Sequence, residues 1–167
     1  MGGASLAILT EKRYLNPKKN SGYVDNILTE DECLYYMNMF NDKKLVEDID
    51  DKHRKYHRVQ FQDQELANRL FEKVKGYLPK KIKKISDGMN DHIRLSMYDP
   101  GQFFGIHKDG INFDKNNKQR MSYATLNIFL NDDFEGGATT FYEKDKKTIK
   151  YVCNPKKGSG AFFYSQQ

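Results

Sequence analysis

The chain has 167 residues and a mass of 19.6 kDa, which is room for one domain with its own hydrophobic core. Charged residues make up 31% of it and the mean hydropathy is -0.85, while no apolar run approaches the roughly 20 residues that cross a bilayer. We therefore expect neither a transmembrane segment nor a secretory signal, and an intracellular, cytoplasmic protein.

Charge and cysteine content favour a solvated surface and free thiols, and they exclude few classes of function. The net charge of +5 comes mostly from lysines in short scattered groups, which is more typical of a solvated surface than of a nucleic-acid interface. Cys33 and Cys153 both lie in apolar contexts, so buried free thiols in a reducing compartment are favoured.

Two stretches of the N-terminal half predict no regular element. Residues 16–22 are polar and turn-forming, so we expect the ordered domain to begin after them. Residues 47–58 are highly charged, and we expect a loop there, with strand character as the alternative.

The same half also predicts two helices. The first begins at Thr29 and Glu32, which have the spacing of a capping box. A second begins near Asp63 and ends at Gly76 and Pro79. Helical spacing predicts two apolar faces, one of Cys33, Leu34, Met37 and Phe40, the other of Leu66, Leu70, Phe71, Val74 and Leu78.

After Pro79 the pattern changes to that of strands. Ile93, Leu95 and Met97 alternate with more polar residues, which predicts a strand with one buried face. Further strand-like runs cover residues 121–130, 139–142, 149–153 and 160–164. Short strands at this spacing are typical of an antiparallel sandwich or barrel, so the predicted class is α+β in a single domain, residues 1–167.

His107 and Asp109 are the residues that first suggest chemistry. On a strand, residues i and i+2 point to the same face, so this imidazole and carboxylate could converge on one point. With a second histidine they would form the facial triad that binds Fe(II) and leaves positions open for a cosubstrate and O₂. An H-x-D pair alone occurs often by chance, so its neighbours decide the interpretation.

Those neighbours form an ordered set of motifs. It runs Asn90-x-x-x-Arg94, Tyr98-x-x-Gly101-Gln102, His107-x-Asp109, Leu130-Asn131 and Gly136-Gly137-x-Thr139-x-Phe141. The set strongly resembles the Fe(II)/2-oxoglutarate-dependent dioxygenases of the prolyl 4-hydroxylase type. The resemblance covers residues 88–167, and residues 27–33 are similar to the helical lead-in of that family.

The resemblance implies a fold and an iron site. Residues 88–167 would form a double-stranded β-helix, a jelly-roll type, with residues 22–80 as an N-terminal helical support. His107 and Asp109 match the first two iron ligands of the family.

Four residues are candidates for the cosubstrate pocket, three of them from the resemblance and one, Arg94, from the predicted strand. Tyr98 matches a tyrosine whose hydroxyl helps to hold 2-oxoglutarate, whereas Phe129 falls where some relatives place a second tyrosine, so that hydrogen bond would be absent. Arg94 shares a predicted strand face with Tyr98 and either binds an acid or faces solvent. Thr139 matches the turn that leads into the next core strand.

The reaction implied is O₂-dependent hydroxylation of an unactivated C–H bond, coupled to decarboxylation of 2-oxoglutarate to succinate and CO₂. The cofactors implied are Fe(II), 2-oxoglutarate and O₂, with ascorbate as a further candidate. A prolyl residue in a peptide or protein is the favoured substrate, and a nucleic-acid base is less favoured.

The match is incomplete at the C-terminal end. The family's second metal-binding histidine and its cosubstrate-binding lysine or arginine come later, but no histidine follows His107 before Gln167. We expect that the native chain continues past Gln167 and that the last core strands are missing, which would leave an open sheet edge. The alternative is a non-catalytic binding module on the same scaffold.

Overall fold

A computed structural model describes residues 2–6, 21–42, 46–50, 52–77, 83–84, 86–113, 121–122 and 124–164. Their fold is a mixture of helix and sheet, as predicted. The helices are α1 (Glu30–Asp42) and α2 (Gln64–Val74), the latter followed by a 3₁₀ turn over Lys75–Tyr77. The strands are β1 (Gly2–Leu6), β2 (Ser21–Val24), β3 (Val46–Asp50), β4 (Arg54–Gln62), β5 (His92–Met97), β6 (Phe103–Phe104), β7 (Ala124–Phe129), β8 (Thr139–Tyr142), β9 (Ile149–Cys153) and β10 (Gly160–Tyr164).

Helix α1 begins with the predicted capping box. The Thr29 backbone N–H donates to Glu32 Oε2 at 2.8 Å, and the Glu32 N–H donates to Thr29 Oγ1 at 3.2 Å. The buried face of α1 differs from the predicted apolar face. Leu34 was predicted to be buried but is 55% exposed, and Tyr36 is buried instead. The face that packs on the core comprises Cys33, Tyr36, Met37 and Phe40.

Helix α2 begins at its predicted cap, where Asp63 Oδ1 accepts the Leu66 backbone N–H at 2.8 Å. The predicted ending at Pro79 and the apolar position Leu78 lie outside the described residues. The buried side chains of the helix are Leu66, Ala67, Leu70 and Val74.

Eight strands form one antiparallel sheet, in which the order is β2-β10-β7-β1-β5-β4-β3 and β6 pairs with β4. Strands β8 and β9 form a second, two-stranded sheet. The bounds of β8, β9 and β10 are the predicted ones, and β5 and β7 lie within one to three residues of theirs.

Two parts of the N-terminal half differ from the sequence prediction. Strand β1 lies before residue 22, where no element is expected, and pairs with both β5 and β7. The charged stretch 47–58 falls within the antiparallel hairpin of β3 and β4. Charged residues are common in strands at the edge of a sheet, and among the described residues β3 pairs only with β4.

The two faces of the large sheet have different roles. On one face, alternate residues of β5 and β7 join the hydrophobic core with the helices. On the other face lie the intervening residues, including Arg94, Thr125 and Phe129. The core residues that these two strands contribute are Ile93, Leu95, Ala124, Leu126 and Ile128.

The second sheet contacts the large one through aromatic rings. Phe141 of β8 lies 5.2 Å from Phe163 of β10, centroid to centroid, and stacks on Tyr151 of β9. Cys33 and Cys153 are both buried free thiols, as predicted, and burial raises the pKa of Cys153 to about 11. No helix among the described residues has the length and apolarity needed to cross a membrane.

Candidate active site

His107 and Asp109 lie in a segment that follows β6 and has no regular secondary structure. They nevertheless converge, since His107 Nε2 is 3.2 Å from Asp109 Oδ1. The sequence argument assumed a strand for this convergence. The contacts that bring the two side chains together come instead from their neighbours in the fold.

The His107 ring is held from two directions. The Phe104 ring stacks on it with centroids 3.8 Å apart and an interplanar angle of 11°. The Gly105 carbonyl lies 2.7 Å from Nδ1, and a carbonyl oxygen can only accept a hydrogen bond, so Nδ1 carries a proton. This contact turns the other ring nitrogen, Nε2, toward Asp109.

The Asp109 carboxylate is held by strand β7. Thr125 Oγ1 donates to Asp109 Oδ2 at 2.5 Å, while the other carboxylate oxygen faces His107. Burial alone would raise the pKa of Asp109, but hydrogen bonds from His107 and Thr125 and the positive charge of Arg94 outweigh it, so its pKa lies below the usual value. The hydrogen bond with Asp109 raises the pKa of His107, against the opposing effect of burial.

Tyr98 is connected to this pair through a column of rings. It stacks on Tyr56 with centroids 5.1 Å apart, and Tyr56 stacks on Phe104 at 5.6 Å. Phe104 in turn stacks on His107. The column therefore extends from the end of β5 to the imidazole.

Polar contacts stabilise the turn that follows Tyr98. His57 Nε2 is 3.0 Å from Asp99 Oδ2, and the Gln102 side chain accepts the Asp99 backbone N–H at 2.9 Å. The Gln102 N–H completes the predicted turn by donating to the Asp99 carbonyl at 2.9 Å. This turn fixes where β6, and with it Phe104, leaves the sheet.

The structure relates the other predicted site residues to His107 and Asp109 in different ways. Arg94 is exposed on β5, yet its charge acts on Asp109. Phe129 shares a face of β7 with Thr125 but lies four residues along the strand, roughly 13 Å away. Thr139 pairs with Cys153 in the second sheet. In the described part of the chain, no hydrogen bond or ion pair joins Thr139 to His107 or Asp109.

Sequence reasoning missed three contributors to the site, namely Phe104, Gly105 and Thr125. Only Thr125 carries a sequence signal, as a polar residue next to apolar Leu126 in a run predicted to be a strand. The roles of Phe104 and Gly105 depend on the conformation of an irregular segment, in which residues two and three positions before His107 fold against its ring, and the spacing of the sequence does not predict that conformation.

The pair fits two adjacent positions around a divalent metal ion. Two ligand atoms about 2.1 Å from one octahedral ion and at right angles to each other lie about 3 Å apart. The observed separation of 3.2 Å is close to this, and one imidazole nitrogen plus one carboxylate oxygen is a donor set that suits Fe(II). Within the described part of the chain, no group of three or more His, Cys, Asp or Glu side chains is gathered at one point.

Two comparisons with known proteins agree on one superfamily. The sequence model of the 2OG-Fe(II) oxygenase superfamily matches residues 93–167. The chain is similar to the structure of the viral collagen prolyl hydroxylase vCPH from Paramecium bursaria Chlorella virus-1 in its 2OG complex, with 25% identity, a TM-score of 0.59 and coverage of 89% of this chain and 79% of that one. A search of the curated proteins finds no match.

Residues 93–167 thus match the 2OG-Fe(II) oxygenase superfamily, and the chain is similar in structure to one viral collagen prolyl hydroxylase. This confirms the resemblance found in the sequence. Both comparisons support the class of 2-oxoglutarate-dependent dioxygenases, a family of oxidoreductases whose members imply Fe(II), 2-oxoglutarate and O₂.

Proposed function

We propose that this chain is an Fe(II)- and 2-oxoglutarate-dependent dioxygenase that hydroxylates a prolyl residue of a peptide or protein, releasing succinate and CO₂. The observation that carries the proposal is the convergence of His107 Nε2 and Asp109 Oδ1 at 3.2 Å, inside the segment that the superfamily matches. The prolyl substrate is supported by the likeness to a viral collagen prolyl hydroxylase.

In this proposal His107 and Asp109 hold the iron. When bound, the metal and 2-oxoglutarate supply the activation of O₂, which no side chain of the protein provides by itself. The protein contributes geometry: Gly105 and Phe104 fix the imidazole so that Nε2, which gives up its proton when a metal ion binds, faces the same point as Asp109 Oδ1.

Tyr98, Arg94, Phe129 and Thr139 are proposed to line the cosubstrate pocket. Tyr98 is supported by its ring contact to Tyr56, which joins it to the column ending at His107. Arg94 is supported by its positive charge, which contributes to the lowered pKa of Asp109 and would also attract the carboxylates of 2-oxoglutarate. Phe129 contributes an apolar surface on the same strand as Thr125.

The proposed architecture is a jelly roll of the double-stranded β-helix type over residues 88–167, supported by residues 22–80 in a single domain. The contact between Phe141 and Phe163, which joins the small sheet to the large one, supports a two-layered core. The similarity in structure to a 2-oxoglutarate oxygenase supports it as well.

The first test is binding of Mn(II), an EPR-visible substitute for Fe(II), by the wild-type chain and by His107→Ala, Asp109→Ala and Lys108→Ala. Lys108 is the matched control because it is exposed and lies between the two ligands. Loss of a ligand atom is expected to weaken binding at least tenfold in the first two variants and to leave Lys108→Ala unchanged. Equal affinity in all four proteins would overturn the metal assignment.

The second test is turnover. With Fe(II), ascorbate as reductant and proline-containing peptides, the full-length native protein is expected to convert 2-oxoglutarate to succinate and to add 16 Da to the peptide. Succinate without a mass change would retain the dioxygenase and reject the prolyl substrate.

A non-catalytic binding module is the second candidate. It is favoured by the lack of a third His, Cys, Asp or Glu beside the pair within the described ranges. Such a module would bind peptide in the second test but produce no succinate.

A further inference from the structure

Thr125 is a buried polar side chain in a strand whose neighbouring residues serve the core. It is 8% exposed, and Ala124 and Leu126 on either side of it pack into the hydrophobic core from the opposite face of β7. A hydroxyl in such a place needs a hydrogen-bond partner, because leaving it without one costs free energy. Its partner is the carboxylate of Asp109.

The hydrogen bond ties an irregular segment to the sheet. Asp109 lies outside the strands, so no ladder of backbone hydrogen bonds fixes its position. Thr125, in contrast, belongs to β7, which is paired on both sides by β1 and β10. The contact between Thr125 Oγ1 and Asp109 Oδ2, at 2.5 Å, is a short, charge-assisted hydrogen bond. Because Thr125 is held in the sheet, this bond restricts the position of the carboxylate.

This contact also decides which carboxylate oxygen is available. With Oδ2 accepting from Thr125, Oδ1 is the oxygen that faces His107 Nε2. Rotation of the carboxylate that brought Oδ2 toward the metal position would break the hydrogen bond to Thr125. The hydroxyl therefore selects one orientation of the ligand before any metal arrives.

We propose that Thr125 is a positioning residue for the metal ligand Asp109, and that its hydroxyl sets the affinity of the site for a divalent first-row metal ion. The inference rests on the proposed function, because it assumes that His107 and Asp109 bind a metal. Removal of a group that orients a metal ligand typically weakens metal binding 10- to 100-fold.

The test compares Thr125→Val with Thr125→Ser. Valine keeps the β-branched shape and loses the hydroxyl, whereas serine keeps the hydroxyl and loses a methyl group. Thr140→Val, on half-buried β8 and outside the proposed site, is the matched control. Mn(II) affinity is measured by EPR, and the absorption spectrum of the Co(II) form reports the coordination geometry.

The expected result is a 10- to 100-fold weaker Mn(II) affinity and an altered Co(II) spectrum for Thr125→Val. Thr125→Ser should bind within about threefold of wild type and Thr140→Val should match it. A purely structural role would lower the melting temperature of the metal-free variant without changing the Co(II) spectrum or Mn(II) affinity of the folded protein, and that result would overturn the inference. If Thr125→Val does not fold, Thr125→Ala against Thr125→Ser gives the same comparison.

The outcomes separate this inference from the proposed function. Wild-type protein that binds no Mn(II) contradicts both. Wild-type protein that binds Mn(II) alongside a Thr125→Val variant that binds it equally well contradicts only the role of Thr125.

Discussion

His107 illustrates how single residues acquire their roles in this protein. Its imidazole is fixed by the face of Phe104 and by the Gly105 carbonyl, both close in the chain, and by a carboxylate two residues away. The H-x-D spacing predicted that the two side chains would meet. That Nδ1 of His107 carries a proton follows only from the carbonyl contact, which depends on the fold of the loop.

At the residue scale, Tyr98→Phe tests the proposed cosubstrate contact. The variant keeps the ring that stacks on Tyr56 and loses the hydroxyl. Loss of one hydrogen bond to a ligand, about 1 kcal/mol, should weaken 2-oxoglutarate binding roughly fivefold while Mn(II) binding is unchanged. Both constants are measured by titration calorimetry of the metal-loaded chain under anaerobic conditions.

Tyr56→Phe is the control, because it removes a hydroxyl from the adjacent ring of the same column. Only Tyr98→Phe should lower the affinity for 2-oxoglutarate. Unchanged affinity would show that the Tyr98 hydroxyl is not part of the pocket.

At the scale of elements, the loop before β10 connects the sheet to the start of α1. The Gly158 carbonyl accepts the backbone N–H groups of Ile27 at 2.7 Å and Leu28 at 3.0 Å, and the Gly158 N–H donates to the Phe129 carbonyl at 2.8 Å. Gly158 has a φ of +74°, and a Cβ atom there would collide with the Leu28 carbonyl oxygen. The two elements therefore meet at a residue that has to be glycine.

We expect Gly158→Ala to destabilise the fold by about 3 kcal/mol or more, since it adds a backbone collision to the strain of a positive φ. Gly136→Ala is the matched control, because Gly136 has a φ of +80° and nothing within 4 Å of its Cβ position. The strain alone should cost about 1 kcal/mol. Urea denaturation of both variants measures the difference, and equal losses would show that Gly158 makes no close approach to Leu28.

Most elements were predictable from local patterns, and the errors have physical causes. The capping box placed the start of α1, but the phase of its buried face depends on which turn meets the sheet, and that contact buries Tyr36 and exposes Leu34. Strands β8, β9 and β10 were predicted to the residue because turn-forming residues bound each of them. The strand character of the charged stretch 47–58 depends on pairing, which local sequence does not show.

At the scale of the whole molecule, β1 occupies the middle of the large sheet. Its backbone pairs with β5 through Ala4 and Leu95 and with β7 through Ala4 and Ile128. Two adjacent glycines at its start give it little intrinsic preference for a strand. Its conformation is therefore determined by the two neighbouring strands, which are far away in the sequence.

Hydrogen exchange tests this placement. The amides of β1 are expected to exchange slowly, at rates close to those of β5 and β7, because a central strand is paired on both sides. Strand β3, for which the described part of the chain provides a pairing partner on one side only, is the internal comparison and should exchange faster. Exchange of β1 at the rate of an unstructured peptide would contradict its position between β5 and β7.

The sequence by itself predicted the mixture of helix and sheet, the C-terminal strands, the convergence of His107 and Asp109, and the resemblance to the 2-oxoglutarate oxygenases. These features are encoded locally, through periodicity, turn residues and short spacings such as His107-x-Asp109. Tertiary structure alone decided the central position of β1, the ring column that reaches His107 and the hydrogen bond from Thr125 to Asp109. Each of these depends on contacts between segments that are distant along the chain, and their geometry is fixed only when strand pairing and core packing bring those segments together.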